Sequence, residues 1–110
     1  MFVNLCEHDF NIRHNDRHIE VVEPSGLIAR VHGKWETVGA ADGIPIKRYI
    51  PTEVVDLPVK VPGITYLVST AVARAVNKIR KDVVAPDTSD GSGAVKIDGG
   101  FIITTFNQYF

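Results

Sequence analysis

The shortages in this 110-residue chain narrow the field first. A single cysteine, Cys6, leaves no internal disulfide, which points to a reducing compartment. No run of about 18 apolar residues occurs, so no membrane-crossing helix is expected. Residues 1–10 lack a charged-then-apolar leader, and the expected location is the cytoplasm. Basic surplus is also missing: the formal net charge is −1, whereas duplex nucleic-acid binders carry excess Lys and Arg to release counterions. A local basic pocket for a small anion stays compatible with that balance. Gly39 and Gly43 lack a following helix, so no phosphate-cradling glycine loop is present. No Gly-x-Ser-x-Gly turn surrounds Ser69. Hydrophobic residues at 45% and charged residues at 23% are those of a globular protein, and the length predicts one domain over 1–110.

What is present centres on residues 62–88. Ile64, Tyr66 and Val68 alternate with Thr65, Leu67 and Ser69, in types that suit a strand. Ser69 and Thr70 then offer hydroxyls to cap a helix. Val72, Ala75, Val76 and Ile79 recur at helical spacing, while Arg74, Asn77, Lys78 and Lys81 fall on the opposite face. This predicts an amphipathic helix over about 70–81, with Val72, Val76 and Ile79 in the core and Arg74, Lys78 and Lys81 in water. Arg80 falls on the flank, and Pro86 rules out continuation.

The rest reads as β structure. A short first strand covers 2–5, and Asn15–Asp16 marks a turn. Residues 18–23 and 27–31 read as a hairpin about Pro24–Ser25–Gly26. Short strands follow at 35–38 and 44–50 about Ala41–Asp42–Gly43, and 52–57 is a further β candidate. The prolines at 51, 58 and 62 suggest an irregular connection. Residues 87–93 have loop composition. Segments 94–97 and 101–106 form the clearest hairpin, with Asp98–Gly99 at its turn. The expected fold class is α+β, mostly antiparallel β in a barrel-like or curled sheet, with one amphipathic helix.

Several constellations could carry chemistry. His14 and His18 are four residues apart, but Asn15–Asp16–Arg17 makes a poor helix, so solvated loop histidines are expected and no metal site. Cys6 and His8 would share a strand face, and Cys6 reads as a structural thiol. Ser69, with His8 or His32 and Asp82 or Asp87, could be drawn as a triad without any supporting motif. The predicted site combines cations and acceptors: Arg30, Arg80, Ser69, Thr70, Asp87, Thr88, Asn4 and His8. Arginine suits bidentate capture of phosphate, and Asp87 could accept from a ribose hydroxyl or a base edge. The competing reading pairs Arg30 with Glu20 and neutralises Arg80 with Asp82 or Asp87.

The runs Asn4–Leu5 with His8, Pro24–Ser25–Gly26, Ala29–Arg30, Pro62–Gly63 with Tyr66, Val68–Ser69, Val72–Ala73 with Ala75, Arg80, Asp82–Val83 and Pro86–Asp87–Thr88 form a pattern. It resembles a family of small proteins found in phages, prophages and related bacterial elements. Departures fall at Cys6–Glu7, where such proteins tend to carry Thr-Pro, and in the polar stretch before His18. The resemblance implies a context, modulation of host machinery, and no mechanism. In that context the expected function is binding and sequestering a nucleotide-derived immune signal without cleavage and without a cofactor. The alternatives are a protein–protein inhibitor of a host enzyme and a small nucleotide hydrolase. The expected partners are a small anionic nucleotide-like ligand and further copies of the chain, since Phe106, Tyr109 and Phe110 place aromatic surface at a terminus.

Overall fold

A computed structural model describes residues 1–76 and 79–108. In chain order the first elements are β1 (Phe2–Asn4), β2 (Phe10–Arg13), β3 (Ile19–Val22), β4 (Arg30–Ala41) and β5 (Ile44–Val55). Then come β6 (Thr65–Leu67), α1 (Thr70–Ala75), β7 (Val83–Pro86), β8 (Val95–Ile97), β9 (Gly100–Ile103) and β10 (Phe106–Asn107). The architecture is α+β, as expected. Its strand arrangement is not the mostly antiparallel, barrel-like one. Two four-stranded sheets, ordered β1-β6-β7-β10 and β3-β2-β9-β8, are both mixed, and β4-β5 forms a separate two-stranded ribbon. Among the described residues no sheet closes on itself.

The first sheet runs parallel through β1, β6 and β7, with β10 antiparallel at its edge. Parallel strands with both faces covered need apolar side chains in both directions. Residues 66–68 meet that need: Tyr66 and Val68 join Val72, Ala73, Val76, Val83 and Ala85 on the helix side. Leu67 points the other way, to Phe10, Ile12 and Ile103 of the second sheet. The first sheet is therefore the middle of three layers, with α1 and the ribbon's base on one face and the second sheet on the other.

The helix is shorter than its periodicity predicts. Ser69, not Thr70, is the cap: its Oγ accepts from the Val72 nitrogen at 3.4 Å. The helix ends at Val76, whose carbonyl accepts from both the Ile79 and the Arg80 nitrogens. The chain must turn there to reach Val83 at the start of β7. Val72 and Val76 are buried and Arg74 and Lys81 exposed, as the pattern predicts, but Ile79 is 76% exposed. Lys78 and Asn77 lie outside the described residues. Val72→Ala should accordingly cost about 2 kcal/mol in urea unfolding. Ile79→Ala should cost under about 0.5 kcal/mol.

Two other expectations are corrected. The strand at 19–22 does not pair with 27–31; it turns back on β2 through residues 14–18, with Arg17 at φ 70°. That registers Ile12 against Glu20, whose carboxylate pairs with His14 and not with Arg30. Pro24 to Ala29 instead run along the first sheet, with the Ser25 nitrogen on the Asn4 carbonyl and the Ala29 nitrogen on the Leu5 carbonyl. Residues 35–57 do not form short strands with an irregular connection. They belong largely to the long β4-β5 ribbon, which accommodates its irregularities through shifts at His32/Gly33 and Thr37/Gly39. The Asp98–Gly99 hairpin forms as expected, between β8 and β9, with Gly99 at φ 83°.

Candidate functional site

The parallel strands β1, β6 and β7 end together, and the chain leaves them at Leu5–Cys6, Val68–Ser69 and Asp87–Thr88. In open sheets with parallel strands, ligands bind outside these carboxyl ends. Here the starts of β2 and β9 face that edge from the second sheet. Between them lies a cavity of about 230 Å³, lined by Cys6, His8, Asp9, Phe10, Ser69, Thr88 and Phe101 among others. A second groove of about 320 Å³ lies beside it, lined by Arg30 and Glu7 among others. Cys6, His8 and Ser69 line both spaces and form the shelf between them.

Asn4 builds this shelf without facing the cavity. It is 1% exposed, and its Nδ2 donates to the His8 carbonyl at 2.7 Å and the Val22 carbonyl at 2.9 Å. Its Oδ1 accepts from the Cys6 nitrogen at 2.8 Å. Both polar atoms of the amide are bonded to backbone, in three hydrogen bonds, so the predicted ligand contact is a structural knot that fixes the loop bearing His8.

The Cys6 thiol is pushed up to about 11, first by burial and then by the adjacent Glu7 charge. At neutral pH it is protonated, hence a poor nucleophile. The Ser69 hydroxyl is held on the helix start by the Val72 nitrogen. With six residues, α1 supplies little of the dipole expected at that junction.

Of the predicted residues, His8, Ser69 and Thr88 line the cavity and Arg30 lines the adjoining groove. Arg30 is exposed and reaches Glu7 at 4.0 Å, not Glu20. Thr70 is exposed on the first turn and lines neither space. Asp87 accepts from the Ser89 nitrogen and hydroxyl at 3.1 and 2.6 Å, and those bonds, the hydroxyl's first, hold its carboxyl below the usual range. It shapes the loop that carries Thr88.

Arg80 is not part of this site. It lies beyond the opposite end of α1, where Asp82 precedes β7. Its Nε and Nη2 donate to the two Asp82 oxygens at 2.8 and 2.7 Å, and Nη2 also donates to the Pro58 carbonyl at 2.9 Å. The predicted convergence of Arg30 and Arg80 at Ser69 is therefore replaced by the pairing of Arg80 with Asp82. The histidines at 14 and 18 stack with centroids 4.4 Å apart, His14 on Glu20 and His18 on Asp16. Among the described residues no three His, Cys, Asp or Glu side chains are grouped to hold a metal ion.

Phe101, Asp9 and Phe10 were missed. Phe101 sits on the clearest predicted hairpin, but only the parallel pairing of β2 with β9, Asn11 against Ile102, brings it to the strand ends. The fold and cavity together define a small three-layer α+β protein with an open pocket at a parallel-sheet edge. Compared with known protein families, curated proteins and solved structures, the chain matches none.

Proposed function

We propose that this chain binds a nucleotide-derived signal and holds it uncleaved, in the phage counter-defence setting that its sequence pattern suggests. The observation that carries the reading is a pair of spaces sharing Cys6, His8 and Ser69: an apolar cavity lined by an aromatic ring and a groove lined by a guanidinium. A nucleobase fits the first, against Phe101, with Thr88 and Asp9 as polar partners for its edge. The sugar crosses the shelf at His8 and Ser69. The phosphate then meets Arg30, drawing it from its exposed and weak contact with Glu7. Holding without cleavage is supported by the protonated Cys6 thiol and by the capping role of the Ser69 hydroxyl. The protein-inhibitor reading draws support from one separate observation, the exposed apolar side chains of the β4-β5 ribbon.

Calorimetry against cyclic and ADP-ribose-type nucleotides tests the assignment. Arg30→Ala should weaken binding about 10- to 100-fold, the loss of one charge-assisted hydrogen bond. Phe101→Ala should weaken it by a similar factor through lost stacking of about 1–3 kcal/mol. Lys60→Ala, exposed and outside both spaces, should leave it unchanged. Binding indifferent to both Arg30→Ala and Phe101→Ala would place the ligand elsewhere.

A further inference from the structure

Among the described residues the β4-β5 ribbon pairs with no other strand, and only its base packs on the core and α1. Its two strands of 12 residues form a sheet of their own, and nearly every side chain from 32 to 53 is exposed. Isolated two-stranded ribbons are marginal in water. The ribbon also distorts the molecule. The radius of gyration is 16.2 Å and the long axis 55 Å, where a compact chain of this length has a radius near 13 Å. The accessible surface is 7445 Å², roughly 1,400 Å² above that of a compact monomer of 12.1 kDa. That excess is larger than the roughly 800 Å² each partner gives to a standard interface.

The two outer edges of the ribbon differ. β5 carries Pro45 and Pro51, which offer no N–H and blunt an edge against pairing. β4 carries no proline. Its regular segment, between the two shifts in register, is Gly33 to Thr37, with Trp35 at its centre. Trp35 is 65% exposed, registers with Tyr49 and meets that ring edge-on at 5.3 Å. Lys34 and Glu36 flank it symmetrically.

From these features we infer that β4 pairs antiparallel with β4 of a second copy, about a two-fold axis at Trp35. The occupant is specified by self-complementarity. That axis sets Lys34 opposite Glu36 of the second copy, twice per dimer, extending across the two-fold the Lys34–Glu36 pair that each strand already makes at 3.0 Å, with Arg48 in register with Glu36 on β5. It joins two Trp35–Tyr49 pairs into one row of four rings across a four-stranded sheet, and cross-strand aromatic and opposite-charge pairs stabilise such sheets. This names the surface for the self-association expected of the chain and rests on that expectation, while standing apart from the ligand site. Of the C-terminal aromatics, Phe106 packs on Phe2 of its own chain at 5.6 Å, and residues 109 and 110 lie outside those described.

Sedimentation velocity on the full chain, with circular dichroism to confirm folding of each variant, is the test. The wild type should sediment at twice 12.1 kDa at high micromolar concentration. Lys34→Glu, which opposes two glutamates at both contacts, should weaken the dimer about ten-fold or more. The charge swap Lys34→Glu/Glu36→Lys should restore it. A wild-type monomer would overturn self-association and this surface together, leaving the ribbon to a different protein or to none. A dimer indifferent to Lys34→Glu would keep self-association and overturn the β4 edge.

Discussion

Asn4→Asp is expected to remove at least about 3 kcal/mol of stability at neutral pH. The substitution keeps volume and shape but replaces the donating amide nitrogen by an oxygen and introduces an ionisable carboxyl. In the native protein the amide nitrogen serves the His8 and Val22 carbonyls, and the residue is 1% exposed. A carboxylate there faces two carbonyl oxygens it can only repel. Each buried group left without a partner costs about 1–3 kcal/mol, and total stability for such domains is only about 5–15 kcal/mol. The deficit should depend on pH with a definite sign. Burial against carbonyls raises the introduced carboxyl's folded pKa above its unfolded value of about 3.9. The variant is therefore least impaired below that value and worsens as pH rises through the folded one. Urea midpoints for Asn4→Asp and Asn4→Ala between acid and neutral pH provide the check: only the first should show this added dependence.

The second large effect is expected at the other end of the helix. Asp82→Ala should cost roughly 3 kcal/mol, the lower end of the range for breaking a buried ion pair, because Arg80 keeps some contact with water. The guanidinium would remain against the Pro58 carbonyl with no carboxylate. Replacing both residues, as in Arg80→Met/Asp82→Leu, should be milder, since no charge is then stranded. Here the pH sign is opposite. Hydrogen bonding from Arg80 holds the Asp82 carboxyl below the usual range. The pair's contribution is thus present above an unfolded pKa of about 3.9 and is lost as pH falls through the folded value. The stability gap between wild type and Asp82→Ala should close in acid. A gap constant from neutral pH to below 3.9 would contradict this account of the pair.

Both residues were predicted as, or beside, ligand contacts, and the reason is physical. A buried side chain that satisfies backbone groups has the same chemistry as one poised for a ligand, so Asn4 and Arg80 look in sequence like Arg30 and His8. Spacing alone distinguishes faces, and there it served well. The alternation through Tyr66, Leu67 and Val68 predicted opposite directions, and these residues do enter two different cores. Val72 and Val76 followed the helical period until the return to Val83 overrode it at Ile79. Alternation does not say which strands meet. The parallel pairing of β2 with β9 joins residues some ninety positions apart, and it alone brings Phe101 to His8. The ribbon escaped for a related reason: Pro45 and Pro51 break the strand pattern locally, yet an edge strand tolerates them.

On the proposed reading, the pocket beside Phe101 retains a nucleotide without consuming it. Its most direct test is native mass spectrometry of the full chain after mixing with the tightest-binding nucleotide of the calorimetric panel, followed by denaturation and analysis of the released small molecule. The account predicts a complex at one nucleotide per chain for the wild type, loss of that species in Phe101→Ala, and release of the nucleotide at its original mass. Release of a cleaved product, or a complex formed equally well by Phe101→Ala, would contradict it.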